Sequence, residues 1–128
     1  MEFYTSVEAR AAGLPFSDAV RVGDVLYLSG ALGNVPGKLE LVPGGIEAET
    51  RQTMENIARV LRAHNLSFVD VFKCTVMLAD ISEWAAFNGL YLSYFKPDRL
   101  PTRSAFAAAG LALNARVELE CWAWTGEN

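Results

Sequence analysis

Between Ile46 and Ala63 the apolar positions Ile46, Met54, Ile57, Val60 and Leu61, with Thr50 among them, recur every three or four residues. Charged Glu47, Glu49, Arg51, Glu55, Arg59 and Arg62 fill the places between. The spacing follows the turn of an α-helix and predicts an amphipathic helix that lays one face on a core. Elsewhere the pattern shortens. "AVRVGDVLYLSGALG" holds two short apolar runs around Gly23-Asp24, which reads as a hairpin. "VPGKLELVPGG" is rich in proline and glycine and suits loops, with room for one short edge strand at "KLELV".

"FVDVFKCTVMLAD" is β-branched and nearly continuous in apolar character, and so predicts a strand buried on much of both faces. Asp80 and Ser82 then offer caps, with Glu83 at capping-box spacing from Asp80, for a second helix over "EWAAFNGLYLSYF" that Pro97 and Pro101 stop. "RSAFAAAGLAL" and "ARVELECWAW" read as two closing strands joined by a turn near Asn114. The resulting order, two or three strands, helix, strand, helix and two strands, predicts an α+β domain: a mixed sheet with two helices on one face.

At 128 residues the chain has the size of one domain, 1–128, with a single core. Hydrophobic residues make up 52% and charged residues 20%, lean on charge for a monomer that must cover its own surface, so part of the apolar excess is expected in a subunit interface. The net charge of −4 and the lack of a basic cluster argue against nucleic acid as a partner. No apolar run has the length of a membrane span and the N-terminus does not read as an export signal, so no membrane partner and a cytoplasmic location are expected.

The residue inventory restricts the chemistry. His64 is the only histidine, at the end of the first predicted helix, and a helix-terminal role fits it better than catalysis. Cys74 and Cys121 lie in apolar strands without metal-ligand spacing and are expected as buried, reduced thiols. No metal site and no phosphate-binding loop are present as motifs, which leaves carboxylate, guanidinium and backbone groups. On "VELECWAW" the period of two puts Val117, Leu119, Cys121 and Ala123 on one face and Glu118, Glu120, Trp122 and Trp124 on the other. Two carboxylates beside two tryptophans make an odd solvated face. Either another subunit covers it and raises a glutamate's pKa toward the range of proton transfer, or a glutamate forms an ion pair with Arg103 or Arg116; the spacing leaves both open.

"PTRS", the fifteen-residue step from its arginine to the first glutamate of "VELE", "GDVLYLSG" after "LPFSDAV", "ETRQTMENIARVL", "DVFKCTVMLAD" and "FNGLYLSYF" together resemble the Rid, or YjgF-like, family of reactive-intermediate deaminases. The resemblance covers nearly the whole chain in order. It implies a chorismate-mutase-like fold, a homotrimer with a barrel-like core of sheets, and clefts shared between subunits. It also implies cofactor-independent hydrolysis of enamine and imine intermediates, such as 2-aminoacrylate, to 2-oxo acids and ammonia. By position Arg103 would hold the substrate carboxylate and Glu118 would handle the water, with Glu120 the secondary candidate. Ser29 and Gly30 would lend backbone groups, and Asn88 would match an asparagine of the family's helix.

Phe16, Ala31 and Ala105 depart from the residues usual at those pocket positions, which implies a more apolar pocket and a bulkier or less polar substrate than 2-iminopropionate. The same departures keep a second reading in view, a trimeric protein that binds 2-oxo acids without turnover. An endoribonuclease label carried by some relatives fits the acidic balance poorly.

Overall fold

The structure is a computed structural model, and it describes residues 1–127. Six strands, β1 (Glu2–Tyr4), β2 (Ala19–Val22), β3 (Val25–Leu28), β4 (Val71–Leu78), β5 (Thr102–Ala107) and β6 (Val117–Trp124), form one mixed sheet in the order β1-β2-β3-β6-β4-β5. The helices are α1 (Val7–Ala11), α2 (Gly45–Ala63) and α3 (Trp84–Leu92). The α+β reading and the two longer helices packed over one sheet face are as expected from sequence.

α2 follows its periodicity. Met54, Ile57 and Leu61 are fully buried against the sheet, each side chain contributing about 1.5–3 kcal/mol over an exposed one. Gly44 and Gly45 open the helix at φ 120° and 74°, a backbone region that a residue with a Cβ adopts only with strain. Glu49 departs from the polar face assigned to it. It is 5% exposed, and its Oε1 accepts the Arg116 backbone N–H at 2.9 Å, which ties the helix to the entrance of β6.

β6 is the sheet's central strand, antiparallel to both β3 and β4. Val117, Leu119, Cys121 and Ala123 are all fully buried under the helices, while Glu118, Glu120, Trp122 and Trp124 stand half-buried on the opposite, helix-free face, as the period of two predicts. β4 alternates buried with less buried positions instead of being covered on both faces. One face of the sheet lacks a helix, so that strand is only half enclosed.

Three local expectations are corrected. The "KLELV" run forms only an isolated bridge, Asn34 with Leu41, because prolines and glycines interrupt both flanks. β5 and β6 are not a closing pair: β5 lies at the sheet edge, parallel to β4, and residues 108–116 carry the chain back past β4. Asp80 caps a 3-10 turn, Ile81–Glu83, through the Ser82 N–H, and α3 begins only after it. The sequence reading also lacked β1 and α1, three and five residues long, each too short for a periodicity to emerge.

Candidate functional site

Glu118 opens into a cavity of about 490 Å³ built by the segment after β3, α1, α2 and the loop before β6. Phe16, Ser29, Gly30 and Ala31, four of the pocket positions expected from sequence, line the same cavity. The segment is fixed on both sides. Ser29 donates its hydroxyl to the Ser17 carbonyl at 2.6 Å, and Ala31 exchanges two backbone hydrogen bonds with Leu119, at 2.9 and 3.0 Å. Gly30 thereby comes so close to Glu118 that a Cβ there would meet the carboxylate.

Burial, and to a lesser degree the neighbouring Glu120, raises the Glu118 pKa above its ordinary value. Neither glutamate forms a salt bridge among the described residues. Arg116 pairs with Glu83, at 2.6 Å, so the ion-pair alternative for Glu118 is not realised within the chain. A carboxylate in a cavity, partly desolvated and free of a cation, can accept a proton from water more readily than a surface glutamate.

Arg103 lies elsewhere. Its register partner is Cys74 on β4, whose partner on β6 is Cys121, so Arg103 shares the helix-covered face with the two buried thiols. Glu118 has the opposite parity. Two strand spacings, about 9.6 Å, separate β5 from β6, and the two side chains leave opposite faces of the sheet. An arginine strand paired antiparallel beside Glu118 was the sequence expectation, and β4 intervenes instead.

The Arg103 guanidinium sits on an aromatic wall from α3, 4.8 Å from the Tyr91 ring centroid, 5.8 Å from Trp84 and 6.0 Å from Phe87. No carboxylate pairs with it among the described residues. Asn88 belongs to the same helix stripe, and its buried Oδ1 has no hydrogen-bond partner. Ala105, two residues along β5, packs against the core from the same sheet face. The candidates thus form two groups, one around Glu118 and one around Arg103; the two side chains leave opposite faces of the sheet, and the Glu118 cavity extends beyond the end of β3 to α1 and α2. Glu120 faces the same way as Glu118 but does not line the cavity.

Other features were not legible in the sequence. Leu113 lines the cavity with φ 58°, a left-handed conformation that costs a residue with a side chain about 1–3 kcal/mol. Cys74 and Cys121 are cross-strand neighbours with sulfurs 3.5 Å apart. The contact lowers the Cys74 pKa and, with burial, raises that of Cys121 well above the ordinary thiol value. His64 ends α2 as expected, with Nδ1 2.8 Å from the Val60 carbonyl and its ring edge-on to Tyr4. Among the described residues no three His, Cys, Asp or Glu side chains gather as metal ligands, and no helix is long and apolar enough to cross a membrane.

The family described as Endoribonuclease L-PSP matches residues 7–125. A protein of Capra hircus named 2-iminobutanoate/2-iminopropanoate deaminase is 41% identical over 95% of this chain and 88% of its own. Reactive Intermediate Deaminase A, chloroplastic, of Arabidopsis thaliana is 36% identical over 94% of this chain and 64% of its own. Among solved structures, a Thermotoga maritima protein described as a putative endoribonuclease superposes with a TM-score of 0.88 at 34% identity, covering 99% of this chain and 100% of its own. The yjgF gene product of E. coli gives 0.85 at 27% identity, covering 98% and 100%. Matched along nearly its whole length in sequence and in fold, the chain belongs to the L-PSP family, the YjgF or Rid proteins.

Proposed function

We propose that the protein hydrolyses 2-imino acids, and the enamines that tautomerise to them, to 2-oxo acids and ammonia, in sites shared between the copies of a homotrimer. The observation that carries the reading is the Glu118 carboxylate, half-buried in a cavity, with a raised pKa and no salt-bridge partner among the described residues. The names of the mammalian and plant relatives agree with it.

Arg103 would fork two parallel N–H···O bonds onto the substrate carboxylate, which fixes the imine carbon at one place. Glu118 takes a proton from water as the oxygen attacks that carbon. The C=N bond becomes a single bond in a carbinolamine, and the nitrogen gains the proton. Glu118 then passes the hydroxyl proton to that nitrogen as the C–N bond breaks and C=O forms, so water and imine become 2-oxo acid and ammonia with no other reactant. Proton transfer of this kind is worth about 10²–10⁴-fold.

The opposite faces of Arg103 and Glu118 support the shared site. One copy supplies the carboxylate of the cleft and its neighbour the guanidinium. The helix-free face, where Phe3, Val22, Tyr27, Phe72 and Phe106 are all more than a third exposed, offers apolar surface for such packing. An RNA-cleaving reading has less support, since the chain carries a net charge of −4 and Arg59, the only cation lining the cavity among the described residues, pairs with Glu8.

Release of ammonia and 2-oxo acid from imines generated in situ by an amino-acid oxidase is the test. Faster release with the protein than without it is expected. Tight binding of 2-oxo acids with no acceleration of any imine would replace the enzyme with a binding protein.

A further inference from the structure

We infer that the site prefers 2-imino acids with a large apolar side chain over the small ones named for the relatives, and that Leu113 forms part of the wall receiving that side chain. The inference rests on the deaminase reading and adds a substrate class to it.

The first observation is space. A cavity of about 490 Å³ falls within the range of pockets that bury drug-sized ligands, about 300–1,000 Å³. A three-carbon imino acid would leave most of it empty. The second is the lining. Leu14, Phe16, Ala31, Leu32 and Leu113 surround the cavity that Glu118 shares. Phe16 and Leu113 are 48% and 40% exposed, so their apolar surface is available to a ligand.

The third observation is backbone conformation. Leu113 and Asn114 both hold left-handed angles, φ 58° and 59°. Asparagine tolerates that region and leucine does not, so the chain carries a bulky apolar side chain where glycine or asparagine would be less strained. The Ala115 N–H, bonded to the Ala112 carbonyl at 3.0 Å, and the buried Ala115 hold the turn that presents it. Strain kept in the lining of the cavity that Glu118 shares points to use of the side chain.

The Arg103 half-site independently has the same character. Trp84, 46% exposed, flanks the guanidinium, so a substrate carboxylate held there lies beside aromatic surface. Polar side chains of the cavity are engaged within the chain: Asp18 accepts the Ser6 N–H, Asn56 donates to the Leu32 and Asn34 carbonyls, and Arg59 pairs with Glu8. Discrimination then falls to apolar burial, at roughly fourfold per buried methylene.

The experiment measures kcat/KM for imines formed in situ from alanine, leucine and phenylalanine, with the parent and with Leu113→Gly. Glycine accepts the left-handed angle, so this variant should fold at least as stably, which a melting curve checks. The leucine- or phenylalanine-derived imine is expected to exceed the alanine-derived one by roughly tenfold or more, and Leu113→Gly to lower that ratio roughly tenfold. Faster turnover of the alanine-derived imine overturns the preference and leaves the deaminase reading standing. A preference in the parent with an unchanged ratio in Leu113→Gly removes Leu113 from the assignment. Failure to hydrolyse any imine removes the deaminase reading and this inference together.

Discussion

A methyl group placed on Gly30 would lie 2.0 Å from Oε2 of Glu118. The segment after β3 therefore sets where that carboxylate sits. Gly30→Ala meets only the far end of a flexible side chain, so the fold should survive with a melting temperature near the parent's. The carboxylate must move, and imine hydrolysis is expected to fall by about 10²-fold, the lower end of what proton transfer supplies. Steady-state rates and circular dichroism on one sample check both halves; undiminished turnover would place the water elsewhere.

Glu118 and Glu120 should separate in their pH dependence. Burial and then Glu120 raise the Glu118 pKa above its ordinary 4.5. Because the ionised form is the base, turnover should rise with pH through a midpoint above that value. Glu120→Gln removes the smaller cause, so the acid limb of the rate profile should move down while activity persists. Glu118→Gln should abolish the limb along with at least about 10²-fold of the rate.

The same shift predicts a stability effect of known sign. A carboxyl whose folded pKa lies above its unfolded one binds more protons when folded, so its contribution falls as pH rises from 4.5 through the raised value. Glu118→Gln should therefore unfold at a higher temperature than the parent at neutral pH, and the gap should close below the unfolded pKa. Thermal melts across that range read it directly.

Arg103→Lys exchanges a planar fork for a point charge. Loss of that geometry should weaken pyruvate binding by about 1.5–3 kcal/mol, the range for hydrogen bonds to charged groups. Calorimetric titration is the measurement. Equal affinity in variant and parent would mean that Arg103 does not receive the carboxylate.

Glu49 tests the fold alone. Its truncation in Glu49→Ala leaves the Arg116 N–H without its acceptor at 2.9 Å, at a cost of about 1–3 kcal/mol in urea unfolding. Glu49→Gln keeps an acceptor oxygen and should retain most of the stability.

The legible parts of this chain were those where one period runs long enough to fix a face. α2 is one, with Met54, Ile57 and Leu61 buried as spaced; β6 is the other, its parity separating Glu118 from Leu119. Strand adjacency has no such local trace. Nothing in "RSAFAAAGLAL" shows that β5 passes over to pair with β4, and that crossover is what puts Arg103 under α3. Glu49 has a surface residue's character and a buried position because a distant backbone N–H needs it. The resemblance of "PTRS" and "VELE" to a known family named Arg103 and Glu118, but their faces became visible only with the sheet order in hand.

The parting of Arg103 and Glu118 to opposite faces has a genetic counterpart. If each cleft takes its guanidinium from one chain and its carboxylate from the next, two inactive chains can repair one another. Light scattering should first give about three times the chain mass for the parent. Subunits of Arg103→Lys and Glu118→Gln, co-expressed or refolded together, would then produce clefts in which an intact arginine meets an intact glutamate, about one quarter of all sites under random mixing in a closed ring. Activity returning in the mixture, with each variant inactive alone, would be complementation between alleles of one gene. A protein whose sites each lie within one chain could not show it.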